Sequence, residues 1–204
     1  MTEIFLPQVD FGEIVYEVVQ QGWSFRQQAL SLSECRDVQS CLQGLTWTNF
    51  LDDGRVYQEF DVVHLTDSSE YPLPIKEINQ HLGAAIRQNS GRAKTLRNWQ
   101  PSEVAIQSYA TSTAGIGRHR DYSADAGLIV VFTVDGSGKV LIYPSKEALQ
   151  PSHCLETVTG SMMVLAGTGL LEDDALRTVH EVPPAICVPR VSAAFRMPVG
   201  AKPG

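Results

Sequence analysis

The chain has 204 residues, 43% of them hydrophobic, and a formal net charge of -7. That length suits one domain with a full apolar core, and no apolar run approaches the ~20 residues needed to span a bilayer, so no membrane helix is expected. A duplex-binding surface shows as a basic excess or a basic arm. The sequence has neither, which argues against nucleic acid as a partner.

The N-terminal segment MTEIFLPQVDFGEIVYEVVQ is acidic and carries no basic n-region, so a secretory signal is not expected. The four cysteines, Cys35, Cys41, Cys154 and Cys187, form no C-x-x-C pair. They read as buried thiols of a protein in a reducing cytoplasm.

The first hundred residues mix helix and strand signals. SLSECRDVQSCLQG starts with a capping-box pattern, Ser31 then Glu34, and stops at Gly44, which predicts a helix. GLTWTNFLDDGRVYQ is loop-like and rich in aromatics. It is a candidate substrate lid, with Trp47, Phe50 and Tyr57 as candidate contacts. The overlapping RVYQEFDVVHL reads as a strand. In LPIKEINQHLGAAIRQ, Ile75, Ile78, Leu82 and Ile86 recur at helical spacing, so one face packs inward.

After Trp99 the character changes. Short β-rich runs follow one another with turn residues between them: EVAIQSYA, GLIVVFTV, GKVLIYP, CLETVTG, SMMVLAG, RTVHEV and RVSAAFRMP. The turn DGSG is a hairpin signal. Strands that follow helices without alternating with them argue against a doubly wound sheet. The expectation is a mainly β, α+β chain forming a single domain over 1–204. Its 1–100 part supplies helical support and a lid; its 101–198 part forms a jelly-roll, double-stranded β-helix core.

The stretch GIGRHRDYSAD raises the question of chemistry. In extended chain, residues two apart point to one side, so His119 and Asp121 can face inward together while Arg118 and Arg120 face away. Gly115 and Gly117 would let the backbone bend on its way in. Two ligands are not a site. His180, in RTVHEV, is the best third candidate: His81 lies in the amphipathic helix, His64 ends an early strand and His153 sits in a polar loop. Two histidines and one carboxylate with open positions form the facial triad of non-haem Fe(II) sites.

Shortly after His180 comes RVSAAFR. Arg190, Ser192 and Arg196 share one face of a strand. A buried arginine needs an anionic partner, and a guanidinium beside a hydroxyl makes a good clamp for a carboxylate.

With His119-x-Asp121, His180 and Arg190-x-Ser192 in that order within a run of strands, the C-terminal half resembles the Fe(II)/2-oxoglutarate-dependent dioxygenase superfamily. The resemblance implies that His119, Asp121 and His180 hold Fe(II), and that Arg190, helped by Ser192, binds the distal carboxylate of 2-oxoglutarate. Arg196 matches the second arginine of the AlkB-like branch, and QSYATSTAGIGRHRD looks like that branch's approach to the iron motif. Tyr109 would then hydrogen-bond the co-substrate. The repair enzymes of that branch tend to carry an acid two residues after the iron aspartate; here that place is Ser123.

The resemblance therefore implies an oxidoreductase using Fe(II), 2-oxoglutarate and O2. The expected activity is hydroxylation of a small-molecule substrate with release of succinate and CO2, with Tyr122, Trp47 and Tyr57 as candidate substrate contacts. An AlkB-like demethylase of nucleic acid or protein is the alternative. A non-catalytic β-sandwich binding module is the alternative of a different class.

Overall fold

The computed structural model describes residues 4–51, 54, 56–91, 93–185 and 188–200; Asp52, Asp53 and Arg55 of the expected lid, and Cys187, lie outside them. Asp10 caps α1 (Phe11–Gln21), its side chain accepting from the Gly12 and Glu13 amides, and Gly22 closes the helix in a left-handed conformation. β1 (Trp23–Arg26) follows. Ser31 caps α2 (Leu32–Leu42) by accepting from the Glu34 amide, as the capping pattern predicts. β2 (Thr48–Leu51) and β3 (Gln58–Leu65) form a hairpin, and α3 (Leu73–Gln88) buries Ile75, Ile78, Leu82 and Ile86.

Eight further strands make the core: β4 (Glu103–Tyr109), β5 (Gly115–His119), β6 (Leu128–Asp135), β7 (Ser137–Tyr143), β8 (His153–Val158), β9 (Met162–Ala166), β10 (Val179–Val182) and β11 (Arg190–Arg196). Strand order is β1-β9-β6-β11-β4-β3-β5-β10-β7-β8, with β2 on β3. One layer is β9-β6-β11-β4 and the other β5-β10-β7-β8. β3 pairs with both β4 and β5 and joins them, so the antiparallel sheet nearly closes into a barrel. This is the expected jelly-roll arrangement.

The apolar pattern explains the layering. In β6, Leu128, Val130, Phe132 and Val134 pack toward the helices, while Ile129 faces the barrel interior. A strand buried on both faces needs no polar alternation. β4 and β11 differ. Their helix-facing residues Val104, Ile106, Ala193 and Phe195 are apolar, but their interior faces carry Gln107, Arg190 and Ser192, all buried. Polar groups closed inside an otherwise apolar barrel mark where the chemistry lies. Of the thiols, Cys35 is buried and Cys41 half-buried, but Cys154 is exposed because β8 is an edge strand. Among the described residues no helix is long and apolar enough to cross a membrane.

Trp99 joins the helical layer to the segment that follows the His-x-Asp motif. It is fully buried, and its indole Nε1 donates to the Ala126 and Leu128 carbonyls at 3.2 and 3.1 Å. Trp99→Ala is expected to cost about 3–5 kcal/mol of folding free energy. Trp99→Phe is expected to cost about 1–3 kcal/mol for the carbonyls that lose their donor. Chemical denaturation measures both. A Phe variant as stable as the parent would show that the indole N–H does not hold this segment.

Candidate active site

Strand register brings the ligand candidates together. Gly115 has φ +74°, and a Cβ there would lie 2.2 Å from the Val182 carbonyl oxygen, so only glycine lets β5 pass this close to β10. His180 pairs directly opposite His119, with ring centroids 4.3 Å apart. Asp121 lies just past the end of β5, and its two oxygens sit 3.9 Å from Nε2 of His119 and of His180 respectively. One donor atom from each of the three residues falls within 4.8 Å of the others.

The surroundings prepare these donors. His119 Nδ1 lies 2.7 Å from the Gly117 carbonyl, which assigns its proton to Nδ1 and leaves Nε2 as the free lone pair. His180 Nδ1 faces the Thr178 carbonyl at 3.5 Å in the same sense. Burial, then the neighbouring His119 ring, holds the His180 imidazolium pKa down to about 4 against the pull of Asp121. Burial alone would raise the Asp121 carboxyl, but His180, His119, Arg196 and Arg177 together hold it below the ordinary carboxylate value. Two imidazoles presenting Nε2 and one carboxylate are the donor set a divalent iron takes.

The arginines of the motif do not both face away. β5 ends at His119, so strand alternation does not carry on to Asp121. Arg118 does point outward: its guanidinium lies over the Tyr143 ring at 3.6 Å, and Nη1 donates to the Lys146 and Ala148 carbonyls. Arg120 instead lines the cavity beside the triad. Its Nε donates to the Arg177 carbonyl at 2.9 Å, and Arg177 Nη1 donates to the Asp121 carbonyl at 3.1 Å. The segments that carry Asp121 and His180 are thus laced to each other in both directions.

That cavity has a volume of about 170 Å³. It is smaller than the roughly 300–1,000 Å³ of drug-sized sites, so it suits one short molecule. Arg190 lines it and is 5% exposed. Its guanidinium packs over the Tyr109 ring at 4.4 Å, Nη1 makes one long bond to the Lys139 carbonyl at 3.4 Å, and among the described residues Nε has no hydrogen-bond partner. Among the described residues no carboxylate lies within 4 Å of it. Burial lowers its pKa, opposed by Tyr109. Gly138 makes room for it, since a Cβ there would sit 3.1 Å from Nη1. A buried cation without a counter-ion is costly, and such a site suits an incoming anion.

Ser192 lines the same cavity, as expected for its place on β11. So does Thr157, which pairs with Gly138 and has a buried hydroxyl with no partner. Nothing in CLETVTG singles out Thr157 except that strand alternation turns it inward. Tyr109 is 2% exposed; burial raises its hydroxyl pKa, and Arg190 opposes this. Arg196 shares the inward face of β11 but differs from Arg190 in being compensated. Its Nε lies 3.8 Å from Asp125, and Glu103 stands opposite it in register. Burial, opposed by Arg196, pushes the Asp125 carboxyl up to about 6.

Of the expected substrate contacts, Tyr122 lines the cavity, whereas Trp47 packs against the helix-side core and Tyr57 is mostly exposed. Alternation along β3 turns Gln58, Phe60 and Val62 inward and leaves the residue before them outside; the Tyr57 backbone carbonyl instead accepts from the Gly117 amide. Phe50 and Phe60 form the aromatic part of the lining, their rings stacked with centroids 5.4 Å apart.

Compared by sequence, no family model and no curated protein matches the chain. Compared by structure, the chain is similar to a Pseudomonas putida prolyl-4-hydroxylase, with TM-score 0.66 and 16% identity over 92% of this chain and 99% of that one. It is similar to a 2OG-Fe(II) oxygenase family protein of Burkholderia pseudomallei, with TM-score 0.62 and 13% identity over 96% of this chain and 95% of that one. It is also similar to OsALKBH1, with TM-score 0.56 and 13% identity over 86% of this chain and 98% of that one. The likeness extends over several branches and does not single out the AlkB-like one. The chain has the fold of the 2OG-Fe(II) oxygenases.

Proposed function

We propose that the protein is an Fe(II)- and 2-oxoglutarate-dependent oxygenase that hydroxylates a small molecule. The observation that carries this reading is the pairing, in one cavity, of a His-Asp-His triad with a buried arginine that lacks an anion. His119, Asp121 and His180 would hold the iron. Arg190, Ser192 and Thr157 would receive the distal carboxylate of 2-oxoglutarate, beside Tyr109. Arg196, on the same face, would contribute field toward the metal end while Asp125 holds it.

With iron bound, 2-oxoglutarate and O2 supply an oxidative decarboxylation that yields succinate and CO2 and the oxidising power to attack a substrate C–H bond. The protein's own part is positional. The Gly117 and Thr178 carbonyls face each imidazole Nδ1, which selects the tautomer whose lone pair is on Nε2, aimed inward. The Arg120–Arg177 lacing keeps Asp121 and His180 in step. Val131, Val140, Met163 and Leu165 line the cavity and exclude water. Ser123, the acidic chain and the small cavity favour a small molecule over a nucleic acid.

Anaerobic addition of Fe(II) and 2-oxoglutarate is expected to give the weak visible absorption band of a 2-oxo acid chelate, and air is expected to yield succinate. His180→Ala should give no band. A wild-type protein with neither band nor succinate would show that the oxygenase reading is wrong. Thr157→Val should weaken 2-oxoglutarate binding about fivefold, the worth of one neutral hydrogen bond. Unchanged affinity would remove Thr157 from the carboxylate site.

A further inference from the structure

The oxygenase reading gives the cations around the triad a structural task but leaves part of one of them unused. Arg120 and Arg177 join the two ligand-bearing segments while Arg118 points outward beside them, and among the described residues none of the three has a carboxylate within 4 Å. Arg118 is occupied by two carbonyls and the face of Tyr143. Arg177 is occupied by the carbonyls of Asp174, Asp121 and Tyr122. Arg120 uses Nε on the Arg177 carbonyl, and among the described residues its two terminal nitrogens have no hydrogen bond while the side chain lines the cavity. The acid that feels its charge, Glu147, is exposed and stands farther off than an ion pair. In a chain of net charge -7, Arg120 brings a positive charge to the cavity beside the triad.

Part of the lining of the same cavity is apolar. Phe50 and Phe60 stack on each other, and Val56 and Ile116 line the cavity with them. The enclosed volume of about 170 Å³ holds one short molecule, which the oxygenase reading assigns to 2-oxoglutarate. A substrate then needs the remaining part of this lining, which includes both the aromatic pair and Arg120.

We propose that the substrate is a small organic oxyanion whose apolar body rests against Phe50 and Phe60 and whose carboxylate or phosphate pairs with the free end of Arg120, which makes Arg120 the specificity-determining residue. The location of the substrate rests on the oxygenase reading; the anion preference rests on Arg120. A planar guanidinium with both terminal nitrogens open presents the two-pronged donor pattern that carboxylates and phosphates accept.

The test uses the full chain with Fe(II) under anaerobic conditions and saturating 2-oxoglutarate, which keeps the probes away from Arg190. Binding of 3-phenylpropanoate, phenyl phosphate and the neutral 3-phenylpropanamide is measured by saturation-transfer NMR. At least one anion is expected to bind about tenfold more tightly than the amide, and the better of the two identifies the oxyanion. Arg120→Gln should bring the anion-to-amide ratio close to one, and Arg120→Lys should keep part of it. A general disturbance of the Arg120–Arg177 lacing would weaken acid and amide alike and leave the ratio unchanged. Equal binding of anions and amide in the wild type, or an unchanged ratio in Arg120→Gln, overturns the proposal. An Arg120-dependent ratio in a protein that gives no 2-oxoglutarate absorption band would keep the anion site and remove the oxygenase reading.

Discussion

The guanidinium of Arg190 sits inside a β-barrel with no carboxylate within 4 Å among the described residues, and much of the architecture makes that position tolerable. Gly138 leaves space beside it, the Tyr109 ring offers a negative face, and one long bond reaches the Lys139 carbonyl. None of these replaces a counter-ion in a medium of low dielectric constant. A guanidinium so placed is costly by itself, and an anion that enters and pairs with it would stabilise the folded chain by mass action. The same feature would make the cavity selective for a ligand with a carboxylate at that depth.

The opposite requirement governs the metal end. There the donors must be uncharged imidazoles and one anion, and the fold supplies this through backbone rather than through further charged side chains. Pairing of β5 with β10 puts His119 and His180 side by side, and backbone carbonyls claim each Nδ1. Burial keeps His180 neutral. The two arginines flanking the ligands then tie their segments together through main-chain oxygens, so that their charge is not consumed by a carboxylate. A site assembled from two separate segments gains rigidity from that lacing, which preorganised chemistry requires.

Much of this was legible in the sequence, and the limits follow from physics. Helices α2 and α3 announced themselves through the Ser31 cap and the Ile75–Ile86 spacing, because capping and amphipathicity are local. The interior face of β11 was readable because strand alternation puts Arg190, Ser192 and Arg196 on one side. α1 carried a cap at Asp10 and a stop at Gly22, but its apolar positions compete with strand-like valines. Thr157 was invisible, since its partner Gly138 and its neighbour Arg190 come from other strands. The inward turn of Arg120 was hidden for a related reason: alternation holds only while the strand lasts, and β5 ends at His119. Trp47 and Tyr57 look like binding residues by type, but one is drawn to the helical core and the other is turned out by the register of β3.

The distal carboxylate of 2-oxoglutarate is proposed as the counter-ion of Arg190. Calorimetric titration of the Fe(II)-loaded protein, without oxygen, with 2-oxoglutarate and with 2-oxopentanoate isolates that carboxylate, because the two share the metal-chelating end. Wild type should prefer 2-oxoglutarate by roughly 2–5 kcal/mol, the worth of a buried charge pair, and Arg190→Ala should bind the two with nearly equal affinity. Equal affinity in the wild type, or a preference that survives Arg190→Ala, would contradict the account.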